Sequence, residues 1–156
     1  MPRADDVSDL KLLGSGSMPR VVAPSRDLLE AFPNKFPGRN YVVEIYFPEF
    51  TSLCPVTGQP DFGAIRVEYI PDALCVESKS FKLYMFAHRD CRSFMETVTN
   101  SVLDDLEALL KPRWCRVSGL FAPRGGTRIH VFAEGFGSDD PAIRDAVREW
   151  KLEPGR

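Results

Sequence analysis

The chain has 156 residues, 44% of them hydrophobic, 27% charged and 11% aromatic, the proportions of one globular domain with a packed core. Twenty Lys and Arg against 22 Asp and Glu leave a formal charge of −2, which excludes sequence-wide attraction to nucleic acid or an acidic membrane, so any basic site must be local. No apolar run approaches the roughly 18 residues of a membrane span, and the polar start Met1-Pro-Arg-Ala-Asp-Asp6 lacks the apolar core of a signal peptide, so a cytoplasmic address is expected.

The thirteen prolines and 11 glycines punctuate the chain rather than pervade it. They cluster at Pro33–Gly38, Cys54–Pro60 and Ala122–Gly126, which read as loops between periodic segments. Residues 1–20 have weak periodicity and are expected to form a flexible N-terminal arm, leaving 21–156 as a single domain. Asn40 to Phe47 alternates, with Tyr41, Val43, Ile45 and Phe47 on one face. Ala64 to Ile70 sets Ile65, Val67 and Tyr69 against Arg66 and Glu68. Both are expected to be half-buried strands, paired antiparallel across a wide connection that carries Cys54.

Val76 to Ala87 fits neither period cleanly, and Ser78 or Ser80 could cap a short helix there. From Ser93 to Leu110, Met95, Val98, Val102, Leu106 and Leu109 recur at steps of three and four before Pro112, which predicts a helix. Trp114 to Phe121 and Thr127 to Glu134 read as strands joined by the Pro123-Arg-Gly-Gly126 turn. Asp140-Pro141 opens a last helix with Ile143, Ala146, Val147 and Trp150 inward. The order β-β-α-α-β-β-α predicts an α+β fold, a four-stranded antiparallel sheet with helices on one face. Its first and last strands would be apolar edges, best covered by another subunit, so an oligomer is expected.

Cys54 lies in a stretch dense in turn residues, seven positions before Asp61. A loop thiol near a carboxylate suits a nucleophile with a proton carrier, the alternative being a small buried hydrophobe. Cys54, Cys75, Cys91 and Cys115 show no Cys-x-x-Cys spacing and read as reduced thiols, and His88 and His130 are the only histidines, so no metal site is expected and both imidazoles read as structural. Glu77-Ser-Lys-Ser-Phe-Lys82 and Arg124-Gly-Gly126 could hold phosphates through cations, hydroxyls and open backbone, or be a solvated stretch and an ordinary turn. Glu96, at a helix start, is favoured by the helix dipole there, and a carboxylate could also accept two N–H donors of a purine-like ring.

Four stretches, Phe32-Pro-Asn-Lys-Phe36, Pro48 to Phe62, Val76 to Tyr84 and Pro123-Arg-Gly-Gly126, closely resemble the NADPH-dependent 7-cyano-7-deazaguanine reductases, the nitrile reductases of queuosine biosynthesis. The resemblance runs from about Leu13 to Phe136 and is to the short, single-module branch. It implies a tunnelling fold in which subunits assemble into rings with a central β-barrel, suggesting ten subunits as paired pentamers, with sites between subunits. It also implies Cys54 as the nucleophile that forms a covalent thioimide and Asp61 as proton donor. Val76, Glu77, Ser78, Met95 and Glu96 match positions that bind the deazapurine, a small molecule free of nucleic acid, and Ser78, Lys79, Arg124 and Gly125 match positions that contact NADPH. Many members carry histidine where this chain has Met95; a methionine there packs against the substrate ring, and His88 is the imidazole nearest upstream. Competing readings are a tunnelling-fold enzyme that adds ammonia or an amine to the same thioimide without reduction, and a noncatalytic ring subunit. The nicotinamide-contact residues weigh against the first.

Overall fold

Residues 23–152 are described by a computed structural model, and the expected N-terminal arm lies outside them. Strands β1 (Ala31–Pro33), β2 (Val43–Leu53), β3 (Pro60–Ile70), β4 (Leu74–Val76), β5 (Trp114–Phe121) and β6 (His130–Gly135) occur with helices α1 (Ser78–Phe86), α2 (Met95–Leu110) and α3 (Pro141–Leu152). Four strands form an antiparallel sheet in the order β2-β3-β5-β6, so the expected edges are the observed ones. Among the described residues no helix is long and apolar enough to cross a membrane.

The alternation read in β2 is present: Val43, Ile45 and Phe47 are half-buried, while Glu44 and Tyr46 are exposed. The register then slips between Phe47 and Phe50, where Pro48 and Glu49 form a bulge. An edge strand tolerates proline at a bulge because no ladder donor is needed there. Beyond it Phe50 and Ser52 turn inward, and pairing continues to Leu53 opposite Pro60. The connection expected to be wide is therefore only the loop 54–59. The ladder extends through residues 50–53 and 60–63, and the break falls at 54–59, where Pro55, Thr57 and Gly58 make the turn.

Ile65, Val67, Tyr69, Cys115 and Val117 point from one face of the sheet into a core closed by α1 and α2, through Phe81, Met85, Val98, Val102 and Leu106. Leu109, expected inward, is half-buried, and Leu103 and Leu110 share the core instead. The expectation that all helices lie on one face needs correction. Ile143 and Val147 of α3 pack on Ile70 and Trp114, and Trp150 Nε1 donates to Glu68 Oε1 at 2.8 Å. Strand alternation puts those sheet residues on the opposite pleat from Tyr69 and Cys115, so α3 covers one end of the second face. The cause is Ile70 and Trp114: both are fully buried, their face is not the one α2 occupies, and only α3 remains to cover them.

Two features escape periodicity. β1 and β4 pair as a separate two-stranded sheet, three residues each and too short for a repeat to register. The cap of α1 is Glu77 rather than either serine: its carboxylate accepts from the backbone N–H of Lys79 at 2.8 Å and of Ser80 at 2.7 Å. These bonds depress the Glu77 pKa. Ser80 turns back, donating to Glu77 O at 2.7 Å and accepting from Glu30 N at 3.0 Å.

α2 closes on Lys111 at φ 45° and ψ 54°, a left-handed cap that no glycine relieves. Lys111→Gly is expected to raise unfolding stability by up to about 1 kcal/mol, seen as a higher urea midpoint at unchanged slope.

Candidate active site

Cys54 sits where β2 gives way to the 54–59 loop, which folds into a closed turn. Cys54 N donates to Gln59 O at 2.8 Å, Gly58 N to Cys54 O at 2.9 Å, and Gln59 N to Thr57 Oγ1 at 3.3 Å. Gly58 has φ +70°, a left-handed conformation the turn requires of it, and the Arg92 guanidinium lies against it, Nη2 2.9 Å from where a Cβ would stand. The turn sets the Thr57 hydroxyl and the N–H groups of Thr57 and Val56 near the sulfur. With a smaller contribution from Arg124 they hold the Cys54 pKa down to about 7, against the upward push of burial.

Asp61, on β3 directly across from Ser52, is buried. Its Oδ1 accepts from Arg124 Nη1 at 2.6 Å in an ion pair whose arginine side is nearly half exposed. Arg124 is delivered by a two-residue hairpin: Arg124 N bonds Thr127 O at 2.9 Å, Thr127 N bonds Arg124 O at 3.1 Å, and Gly125 and Gly126 lie at φ 59° and 79°. Two consecutive positive φ angles are what the Gly-Gly pair supplies. Ala122 N donates to Phe62 O at 2.7 Å, so β5 stays paired to β3 up to the turn and sets Arg124 beside Asp61. Nothing lies within 4 Å of where a Cβ on Gly125 would stand, which leaves that backbone open to a ligand.

The other residues singled out from sequence form two further groups. Val76 N donates to the Tyr69 hydroxyl at 3.2 Å, Glu77 caps α1, and Ser78 and Lys79 are exposed beside it. Met95 and Glu96 begin α2, Met95 buried in the core and Glu96 exposed. The second group is tied to the Cys54 segment, because Leu53 N donates to Cys91 O at 2.9 Å and Ser93 N to Leu53 O at 3.0 Å. Among the described residues no side-chain hydrogen bond or ion pair joins residues 76–79 to Cys54, Asp61 or Arg124.

His88, the imidazole nearest upstream of Met95, is turned into the protein interior. It is buried with Nδ1 3.0 Å from Tyr84 O and its ring against Phe50 and Tyr84. Burial depresses its pKa and keeps it neutral. The cavity it lines, of about 300 Å³, includes Tyr84, Ser93, Asp104 and Asp105 but neither Cys54 nor Asp61. Sequence reasoning missed Ser52, Thr57 and Arg92. Thr57 had a signal in its place within the turn, whereas Ser52 and Arg92 are brought in only by register and by the bridge between Leu53 and Arg92.

A thiol with a lowered pKa, a buried carboxylate and a guanidinium on an open glycine turn are the groups of a candidate enzyme site on an antiparallel α+β fold. The family model described as "QueF-like protein" matches residues 60–138. The NADPH-dependent 7-cyano-7-deazaguanine reductase of Desulfovibrio desulfuricans is 67% identical, over 96% of this chain and 93% of the relative. That of Nitratidesulfovibrio vulgaris is 62% identical over 97% and 94%, and that of Exiguobacterium sp. 50% identical over 83% and 80%. The crystal structure of the archaeosine synthase QueF-Like in the apo form superposes with a TM-score of 0.57 at 23% identity, over 64% of this chain and 96% of that one, which is a likeness of fold. The chain belongs to the NADPH-dependent 7-cyano-7-deazaguanine reductase family.

Proposed function

We propose that this protein reduces the nitrile of 7-cyano-7-deazaguanine to the primary amine with NADPH, through a covalent thioimide on Cys54, as a step of queuosine formation. The observation that carries the reading is Cys54 itself, a thiol held near pKa 7 in a turn built around it and sharing Arg124 with the buried Asp61. The Cys54 sulfur attacks the nitrile carbon, forming the S–C bond as one C–N π bond breaks. The thiol proton is relayed by Asp61 to the nitrile nitrogen, so the step is balanced without an outside reagent.

The residues fit the cofactor: Arg124 and Lys79 offer exposed cations, Ser78 a hydroxyl, and Gly125 an unobstructed backbone. NADPH supplies the hydride, twice per nitrile. Asp61 returns a proton to nitrogen, and Cys54 leaves as the thiolate after the first hydride reaches carbon, restoring a C=N bond that the second hydride reduces. The chain segment Val76–Ser78 and Glu96 anchor the deazapurine, Glu96 by accepting ring N–H donors. The Glu77 carboxylate already serves α1, so its part in binding is to fix the direction of that backbone.

The separation of residues 76–79 from the Cys54 group supports a site completed between subunits of a tunnelling-fold ring, in which residues 21–156 act as one domain. The free β2 and β6 edges supply its seams, and paired pentamers are the expected assembly, read as a decameric mass by light scattering. Purified protein given the nitrile is expected to oxidise two NADPH per amine formed; folded protein that oxidises none overturns the reading.

A further inference from the structure

We propose that the second face of the sheet carries a phosphate-binding site, a cavity on β3 and β5 beside the end of α3, in which Arg66, Arg116 and Ser118 hold a tetrahedral oxyanion. The site goes beyond the reductase reading and does not depend on it, because strand alternation puts Arg66 on the pleat opposite the one that carries Asp61.

α3 covers the Ile70 and Trp114 end of this face, and beyond it the face is open, with Tyr46 and Phe132 more than half exposed. Antiparallel register sets Arg66 directly across from Ser118, and Arg116 follows on the same pleat of β5. Together with Glu68, Phe132 and Lys151 they line a cavity of about 350 Å³.

A surplus of donors marks this cavity. Neither half-buried arginine makes a hydrogen bond among the described residues, and Arg66 Nε is buried without a partner. Glu44 Oε2 stands 3.8 Å from that Nε, close enough for an ion pair but too far for a hydrogen bond. Both guanidiniums lie over rings: Arg66 Cζ is 5.5 Å from the Tyr46 centroid and Arg116 Cζ 5.1 Å from that of Phe132. A ring face attracts the charge but gives the N–H donors no oxygen to bond. Arg113, by contrast, directs its donors to Pro71 O, Arg39 O and Asn40 Oδ1. Ser118 is the second sign. It is 4% exposed, its hydroxyl has no partner among the described residues, and it forms part of the cavity wall. Buried polar groups are rarely left unpaired, so donors gathered on one cavity fit an acceptor bound there.

Charge and shape select that acceptor. The wall holds three cations against the single carboxylate of Glu68, whose Oε1 is engaged by Trp150 Nε1 at 2.8 Å. Lys151 is paired with Glu134, whereas Arg116 has no ion-pair partner among the described residues, so the balance favours an anion. The donors come from two strands and converge from different sides. A planar carboxylate cannot face them all, but the oxygens of a phosphate point in several directions, and arginine forks match them. Free phosphate and the phosphate of a nucleotide share this chemistry.

The test titrates the full chain with inorganic phosphate and, separately, with AMP, by isothermal calorimetry at an ionic strength held constant with chloride. Saturable binding is expected, weakened at least about tenfold by Arg66→Gln or Arg116→Gln and several-fold by Ser118→Ala. Arg116→Lys, which keeps the charge but not the fork, should bind between wild type and Arg116→Gln. Phosphate binding should survive Arg124→Gln, which removes the cation of the candidate active site. Bound phosphate should also raise the melting temperature of wild type and not that of Arg116→Gln, a comparison that holds only for folded protein. Saturation by inorganic phosphate alone identifies free phosphate as the ligand, and saturation by AMP a phosphate ester. No saturable binding of either, or binding that both glutamine variants at Arg66 and Arg116 retain, overturns the site.

Discussion

Cys54→Ala is expected to gain no mass when incubated with the nitrile and to lose at least about a thousandfold in turnover, the scale on which covalent catalysts fail without their nucleophile. Wild-type protein should gain one substrate mass with no NADPH present, since adding a thiol across a nitrile expels nothing. A gain by both proteins would remove Cys54 from the chemistry. The pH dependence has a definite sign. The thiolate attacks, and the turn around Cys54 brings its pKa down from 9.0 to about 7. Its rate of alkylation by a neutral reagent should therefore rise through neutral pH and level off above about 8, one unit past the pKa. Thr57→Val removes the hydroxyl that contributes most to this, together with the acceptor of Gln59 N, and should move the midpoint upward while the Cys54–Gln59 and Gly58–Cys54 backbone bonds hold the turn.

Asp61→Asn is expected to lower turnover by about a hundredfold to ten-thousandfold, the range for losing a positioned proton carrier. The amide keeps the size of the carboxyl, and the partner it abandons, Arg124, is nearly half exposed and can be hydrated, so the fold should hold. Two measurements together make the result diagnostic: an unfolding midpoint close to wild type and a mass adduct that forms slowly and is not reduced. Turnover equal to wild type would exclude Asp61 from the mechanism. A comparable loss from Arg124→Lys, which keeps the charge but not the fork, would show that the geometry of the pair matters beyond its charge.

Much of the fold follows from local pattern. β5 coincides with the strand its spacing predicts, α2 begins two residues past its predicted start, and α3 buries the residues its spacing puts inward, because each shows a full period of apolar spacing with a proline at one end. What local pattern could not convey was which side of a sheet a helix takes. The stripe on α3 is amphipathic whichever face it meets, and only the buried Ile70 and Trp114 on the second pleat decide it. The cap of α1 was misassigned for a related reason. Serine is a favoured cap in general, but here Ser80 is drawn to Glu30 N, a contact fifty residues away in sequence, and Glu77 takes its place.

The candidate site divides in the same way. The stretches around Cys54, Asp61, Val76–Lys79 and Arg124 carry the resemblance to the family to which the chain belongs, whereas residue types alone left Cys54 open between a nucleophile and a small packed hydrophobe. The ion pair between Asp61 and Arg124 spans 63 positions and arises only because β3 pairs with β5 and a two-glycine hairpin turns the chain back. The lowered pKa of Cys54 likewise needs the closed turn, since hydrogen bonds to a sulfur depend on direction as well as on residue type. The sequence by itself determined which reactive groups the chain carries and in what order. Strand register decided which of them stand in contact, as Asp61 and Arg124 do, because cross-strand pairing, unlike helical or strand period, is set by contacts that no single segment contains.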